Sequence, residues 1–151
     1  MSLLRRWYYG DAHRDQFLGP ERASRISPLA SADAHGVKWG LHSDAPITAS
    51  NPLKTMWTVV TRKTRTAQTV GLEQCVTLEA ALRAYTIDNA YLGFEEKEKG
   101  SLAVGKLCDL AILSMDPISD AIAAEPDKLL EIDVLGTVLG GEVLMNTTNS
   151  L

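Results

Sequence analysis

One carboxylate, Asp44, occupies the kind of position at which sheet-containing enzymes place their chemistry. The stretch 37–42 before it alternates apolar and polar residues and follows Gly36, a pattern that predicts a short buried strand. Pro46 comes two residues after Asp44 and cannot continue a strand ladder. Loops at the carboxyl ends of strands converge on one face of an α/β sheet or barrel, so Asp44 is the first candidate for a functional residue. A turn or helix cap is the alternative role.

His42 is the second residue of interest, because it precedes Asp44 by two positions. In a regular strand, the side chains of residues two apart point to the same face. A His-x-Asp pair of this kind could bind a metal weakly, or His42 could be a packed residue beside the site. The other histidines are His13, in a polar loop, and His35, at a predicted helix end before Gly36.

The elements that must hold these residues are mostly helical. Residues 1–20 are predicted to be irregular, and short helices are predicted over 20–25 and 29–35. Asn51-Pro52 is typical of a helix start, and that helix should end around 62–65. The clearest helix follows the N-cap Thr77 and runs to about 92.

The last third of the chain has a different pattern. Residues 109–113, 132–139 and 142–145 predict strands, and Gly140-Gly141 between the last two is typical of a hairpin turn. A short helical patch is predicted over 121–124, and a frayed tail from Asn146 onwards. This order predicts the end of an α/β domain followed by a small antiparallel β unit.

Composition limits the fold class and the partners. The 151 residues suffice for one domain with a core, whereas a complete (β/α)8 barrel needs about 250. A net charge of −4 does not suggest a nucleic-acid or anionic-membrane partner, and the basic run 62–65 is predicted to be a solvated helix end. Two cysteines without C-x-x-C spacing argue against a disulfide scaffold or zinc knuckle. Without a transmembrane-length apolar run or a signal-peptide pattern, we expect a cytoplasmic protein.

Four segments of the chain form a recognisable set. They read LGPERASRISPL at 18–29, GLHSDAP at 40–46, ALRAYTI at 81–87 and GSLAVGKLCDLAIL at 100–113, the last followed by Asp116-Pro117. In this order and spacing they resemble the YtcJ-like branch of the metal-dependent amidohydrolase superfamily, known as amidohydrolase family 3. The resemblance extends over nearly the whole chain, which is similar to the C-terminal portion of such proteins.

The resemblance implies a fold and a division of the chain. Family members are TIM-like (β/α)8 barrels, so this α/β chain is expected to be a C-terminal fragment of such a barrel followed by part of a composite β-sandwich domain. We expect residues 1–95 to belong to the barrel and residues 96–151 to the small β-rich composite-domain segment.

The resemblance also implies a chemistry. Family members hydrolyse carbon–nitrogen bonds of small amide-like molecules with one or two divalent metals, and zinc is the expected cofactor. Asp44 matches the eighth-strand aspartate, whose role is to bind metal and to accept a proton from the metal-bound water. His13 and His42 are the weaker candidates, as residues that contact substrate.

The chain departs from the family pattern in its other metal ligands. The early-strand H-x-H pair does not occur, and Arg5, Arg6 and Trp7 stand where a later histidine ligand is expected. A catalytic zinc needs about three protein ligands, so this chain alone is expected to bind metal weakly or not at all. Two hypotheses follow: a hydrolase whose remaining ligands come from outside this chain, or a catalytically inactive remnant that serves as an interaction module. Pairing with an N-terminal barrel fragment or with a second copy is the expected association.

Overall fold

Helices dominate the first part of the computed structural model, which describes residues 4–145. The first helices are α1 (Leu4–Ala12), α2 (Gly19–Ser24) and α3 (Leu29–Ala34), with a π-helical turn at His13–Phe17 after α1. Helices α2 and α3 confirm the prediction. The prediction of irregular structure at the start is wrong, because α1 is held by contacts with distant parts of the chain: Leu4 is fully buried, and Arg6 donates to the Val70 carbonyl oxygen.

Helix α4 (Pro52–Thr61) begins and ends as its sequence predicts. The Asn51 side chain accepts a hydrogen bond from the Lys54 N–H at 2.9 Å, and Pro52 occupies the first helical position. Arg62 ends the helix in the left-handed conformation, with φ of 53°. The local capping chemistry therefore defines this element.

The helix predicted from Thr77 to about 92 is two helices, α5 (Leu78–Tyr85) and α6 (Ile87–Leu92). The N-cap prediction is confirmed, since the Thr77 hydroxyl accepts from the Ala80 N–H. The break lies at Thr86, whose φ and ψ are −119° and −100°. Its Oγ1 donates to the Leu82 carbonyl oxygen at 2.8 Å, a back-bond that competes with regular helical geometry.

The predicted strand over 37–42 is extended but does not pair with any of the three described strands. Trp39 and Leu41 are buried as predicted, whereas Val37 is 57% exposed. The backbone of Leu41 bonds to helices instead: its N–H donates to the Ala84 carbonyl oxygen at 3.2 Å, and Asn89 Nδ2 donates to its carbonyl oxygen at 2.8 Å. The stretch is thus extended chain with a β-bridge at His42 and not the regular strand predicted, and helices α5 and α6 supply the hydrogen-bond partners of Leu41.

The packing of the stretch 37–42 against α6 requires glycine at position 40, because there is no room for a side chain. A Cβ there would lie 1.9 Å from Asn89 Oδ1. Gly40→Ala should displace Asn89 from the Leu41 carbonyl and lower the free energy of unfolding by about 1–3 kcal/mol in urea denaturation. Gly93→Ala is the control, because its Cβ would lie 3.3 Å from the flexible end of Glu95 and at ordinary contact distances of 3.5 and 3.6 Å from two backbone oxygens, and we expect a change within about 0.5 kcal/mol. Equal losses in the two variants would refute this explanation.

The last third forms an antiparallel sheet, as predicted. Its elements are β1 (Leu110–Leu113), α7 (Asp120–Ala124), a 3-10 helix at Pro126–Glu131, β2 (Val134–Leu139) and β3 (Glu142–Met145). The strand order is β1-β2-β3. Gly140 and Gly141 have φ of 58° and 86°, as a two-residue hairpin turn with positive φ at both positions requires. The predicted frayed tail from Asn146 lies outside the described residues.

One hydrophobic cluster joins both parts of the chain. Its buried members are Leu29, Trp39, Leu41, Met56, Trp57, Val59, Leu78, Ala81, Ala84, Ile122, Leu129 and Ile132. Trp57 Nε1 also donates to Asp127 Oδ1 at 2.7 Å, which ties α4 to the 3-10 helix. The residues therefore form an α/β structure in which the extended stretch before Asp44 is packed into the core. No helix within residues 4–145 combines the length and apolar character that a membrane span requires.

Candidate functional site

Asp44 lies in a turn directly after the stretch 37–42. Its φ of 65° is in the left-handed region, which residues other than glycine adopt rarely. Its carbonyl oxygen accepts from the Ile47 N–H at 2.8 Å, and Thr48 Oγ1 donates to the Ser43 carbonyl oxygen. Strained backbone of this kind is concentrated at functional sites, where the surrounding structure holds it in place.

The Asp44 side chain is accessible and faces a cation. Its side chain is 34% exposed, and Oδ2 lies 3.6 Å from Nη1 of Arg5, whose side chain is 52% exposed. Ion pairs at this level of exposure contribute little to stability. The turn and its hydrogen bonds therefore position the carboxylate, which is free to accept a proton from a bound molecule or to exchange Arg5 for another cation.

The two histidine candidates occupy different surroundings. His42 is exposed, and the chain leaves extended geometry before Asp44, so strand alternation does not align the two side chains. His13 begins the π-helical turn and lines a cavity together with Arg5, the partner of Asp44. His13 therefore borders the same cavity as Arg5, Asp44 lies outside that lining, and His42 lies at the surface.

The donor set does not fit a metal by itself. Within residues 4–145, no group of three or more His, Cys, Asp or Glu side chains is placed to hold a metal ion. A catalytic zinc needs about three protein ligands, and Asp44 supplies one carboxylate whose charged neighbour is the Arg5 guanidinium. The described part of the chain thus offers one carboxylate at this position and no complete metal site.

Arg62 is buried, so the prediction of a solvated helix end is wrong at this residue. Its side chain is 0% exposed. The guanidinium donates to five backbone carbonyl oxygens, those of Ser24 (3.4 Å), Ile26 (2.8 Å), Ser27 (3.2 Å), Val70 (3.1 Å) and Gln74 (3.3 Å). These bonds fasten the end of α4 to the loop after α2 and to segment 70–74.

Arg6 is a second buried arginine, 3% exposed, beside the first. Its Nη1 donates to Val70 and its Nη2 to Ala23 and Ile26, again at carbonyl oxygens. Burial, together with the nearby Arg62 charge, lowers the pKa of Arg6 to about 9, and burial also lowers the pKa of Arg62. One feature of the sequence points to buried donors here. Residues 24–28 form a loop after a short helix, and their backbone carbonyls need hydrogen-bond donors from elsewhere in the fold.

Cys75 lies close enough to Arg6 and Arg62 for electrostatic interaction with both. Burial raises the pKa of its thiol, although Arg62 and Arg6 act in the opposite direction. Cys75 is half-buried and Cys108 is exposed. Because the thiolate is the nucleophile, we expect iodoacetamide to alkylate Cys108 at least about tenfold faster than Cys75 in the folded protein, as followed by peptide mass spectrometry. The two rates should converge in urea, and a faster reaction at Cys75 in the folded protein would contradict its burial.

Comparison with known proteins gives consistent matches. The sequence profile of the Amidohydrolase family matches residues 2–145. The chain is 33% identical over 126 residues to an N-substituted formamide deformylase from Arthrobacter pascens. The aligned region covers 83% of this chain and 22% of the deformylase. It is 28% identical over 130 residues to the putative amidohydrolase YtcJ of Bacillus subtilis (strain 168), covering 84% of this chain and 24% of the relative. The chain therefore spans less than a quarter of the length of these curated relatives.

A solved structure agrees at the level of the fold. An amidohydrolase from Thermotoga maritima MSB8 superposes with a TM-score of 0.58 at 19% sequence identity, over 87% of this chain and 27% of that chain. The profile match and the curated relatives confirm the resemblance drawn from the sequence motifs. The chain belongs to the Amidohydrolase family.

Proposed function

We propose that this chain is part of a hydrolase that cleaves carbon–nitrogen bonds, other than peptide bonds, in small amide-like molecules. One observation carries the proposal: Asp44, in the motif GLHSDAP, is an accessible carboxylate held in a strained turn. The 33% identity to a protein named N-substituted formamide deformylase supports this reaction class, and it makes formamides the first substrates to test.

Asp44 is the proposed catalytic residue and metal ligand. As a base, its carboxylate would accept a proton from the attacking water. Its exposure leaves room for that water, and the Ile47 N–H bonded to its carbonyl oxygen keeps the turn closed. His13 and His42 are proposed to contact the substrate, with His13 the better placed because it borders the cavity that Arg5 also lines.

The metal expected of this family, zinc, would need further ligands. Asp44 offers one carboxylate, and the described residues hold no cluster that completes the set. We therefore propose that the remaining ligands come from other residues of the assembled enzyme. An N-terminal barrel fragment is the proposed source, and a second copy of the chain is the other candidate.

We propose the same division of the chain that the sequence suggests. Residues 1–95 would be the C-terminal part of a TIM-like barrel, and residues 96–151 a segment of a composite β-sandwich. The end of α6 at Leu92 and the start of β1 at Leu110 support a boundary between them. The shared core cluster indicates that the two segments pack against each other and are not independent domains.

Metal analysis of the purified chain tests the proposed ligand set. After incubation with zinc and dialysis, we expect well below one tightly bound zinc per chain by inductively coupled plasma mass spectrometry, because one carboxylate is too few ligands. Asp44→Asn should leave that value unchanged. One zinc per chain that disappears in Asp44→Asn would show instead that this chain contains a complete site.

A catalytically inactive remnant, acting as an interaction module, is the second candidate. The ion pair between Arg5 and Asp44 favours it, because a cation of the protein itself already occupies one side of the carboxylate. The two candidates differ in what Asp44 does once the rest of a family enzyme is supplied. An active hybrid enzyme that requires Asp44 supports the hydrolase.

A further inference from the structure

The three-stranded sheet is apolar on both of its faces. Successive residues of a strand alternate between the two faces, and residues paired across strands share one face. The register therefore groups the residues of one face, which we call the outer face: Leu110 and Ile112 of β1, Gly136 and Val138 of β2, and Val143 and Met145 of β3. A sheet with one solvated face alternates apolar and polar residues, whereas the runs LAIL at 110–113 and VLM at 143–145 are typical of a sheet covered on both sides.

The helices pack on the side opposite the outer face. Ala111 and Leu113 lie on that opposite side of β1 and border a cavity that Met56 of α4 also lines. Leu113 packs against the core cluster, whereas within residues 4–145 no residue of the outer face belongs to that cluster or is packed against it. Val143 and Met145 are each 59% exposed. The outer face is therefore apolar surface outside the core, and it is most exposed at β3.

The chain as a whole exposes more surface than a compact monomer of its size. Its accessible area is 9203 Å² at a mass of 16.4 kDa. The scaling that holds for folded monomers gives about 7,500 Å² at this mass. The excess of about 1,700 Å² is larger than the roughly 800 Å² that each partner buries in a stable protein–protein interface. The surplus surface is therefore sufficient for a dimer interface.

The absence of charge on the outer face favours a second copy as the partner. All of its side chains are apolar, and Glu142 of β3 lies on the opposite face together with Leu144. Each copy carries a net charge of −4, so two copies can associate closely only where no carboxylates face each other. Two apolar sheets pack about 10 Å apart with their strands within about 30° of each other, and a two-fold axis brings the same residues of both copies together.

We propose that the outer face is the interface of a homodimer, in which the sheets of two copies pack face to face as the two layers of a β-sandwich. Val143 and Met145 contribute most of the newly buried surface, because they are the most exposed residues of the face. The interface does not include Asp44, so the dimer goes beyond the proposed hydrolysis and does not rest on it. Failure of the dimer and failure of the proposed function are therefore separate results.

Sedimentation velocity of the full 151-residue chain, from low to high micromolar concentration, tests the dimer directly. We expect a reversible equilibrium in which the mass rises from 16.4 kDa towards twice that value and no further, because a two-fold interface closes at two copies. A chain that stays monomeric at the highest concentration overturns the proposal and leaves the outer face to a different partner, such as an N-terminal barrel fragment. Growth beyond the dimer also overturns it, because it indicates open-ended pairing along the edge of β3.

Two neighbouring residues of β3 provide a matched pair of variants. Val143 and Leu144 are 59% and 54% exposed and lie on opposite faces of the sheet. Val143→Lys places an ammonium group from each copy in the apolar interface and should raise the Kd of the dimer by at least about a hundredfold. Leu144→Lys makes the same charge change outside the interface, and we expect its Kd to stay within about threefold of the original.

Circular dichroism of both variants checks the fold, which should be unchanged because both side chains are exposed in the monomer. Equal weakening of the dimer by Val143→Lys and Leu144→Lys would overturn the assignment of the outer face, because the loss would then follow the added charge and not its position.

Discussion

Arg62→Met should lower the free energy of unfolding by about 3–5 kcal/mol, the largest stability loss that we expect from a single replacement in this chain. Arg62 is fully buried and donates to five backbone carbonyl oxygens. Methionine fills part of the volume but removes one donor from each of these carbonyls. Val70 and Ile26 still accept from Arg6, and Ser27 still accepts from the Leu29 N–H. The Ser24 and Gln74 carbonyls lose the Arg62 bond outright, and each buried unpaired group costs about 1–3 kcal/mol. Removing a desolvated charge offsets part of that cost. Urea denaturation at neutral pH measures the difference.

Two further replacements separate the network from the charge. Arg22→Met makes the same change at an exposed position of α2, and we expect a loss within about 0.5 kcal/mol. Arg62→Lys keeps a cation but cannot reach all five carbonyls from one ammonium group, so its loss should fall between the other two. A loss in Arg62→Met no greater than in Arg22→Met would show that the carbonyl network does not stabilise the fold.

Elements set by neighbouring residues in the chain were predictable. Asn51-Pro52 defines the start of α4, Thr77 caps α5, and Gly140-Gly141 defines the hairpin of β2 and β3. In each case the residues that determine the conformation are within about four positions of the residues they affect. These local conformations do not depend on how distant parts of the chain pack, so they can be recognised from the sequence without a structure.

Elements set by distant partners were not predictable. Helix α1 depends on carbonyl oxygens of Val70 and Ile26, and the backbone of Leu41 depends on Asn89. A buried arginine such as Arg62 has the same sequence appearance as one on a solvated helix end. The periodicity of the stretch 37–42 identified two of its buried side chains but could not identify helices as its hydrogen-bonding partners.

The candidate site shows the same division. The motif around Asp44 and its position at the end of an extended stretch follow from the sequence and its resemblance to the family, whereas the left-handed backbone of Asp44 does not. The contact between Arg5 and Asp44, and the cavity that brings His13 to the same arginine, depend on how α1 packs. No local pattern encodes that packing, because its contacts join residues about 40 positions apart.

Asp44→Asn should reduce hydrolysis by about 10²–10⁴-fold in an enzyme that contains this chain, because an amide of the same shape cannot accept a proton from water. A suitable host is the Arthrobacter pascens N-substituted formamide deformylase, to which the chain is 33% identical over 126 residues. The aligned segment of that enzyme is replaced by this chain. Hydrolysis of an N-substituted formamide by the hybrid enzyme is followed through the amine released.

The ratio of kcat/KM between the hybrid enzyme and its Asp44→Asn variant is the most direct test of the assignment of this chain to hydrolysis. Asp120→Asn, at an exposed position in the first turn of α7, is the matched control for loss of one carboxylate. We predict that the hybrid hydrolyses the formamide, that Asp120→Asn keeps its rate within about twofold, and that Asp44→Asn loses at least about a hundredfold. A folded hybrid whose Asp44→Asn variant is as active as its Asp120→Asn variant would contradict a catalytic role for Asp44.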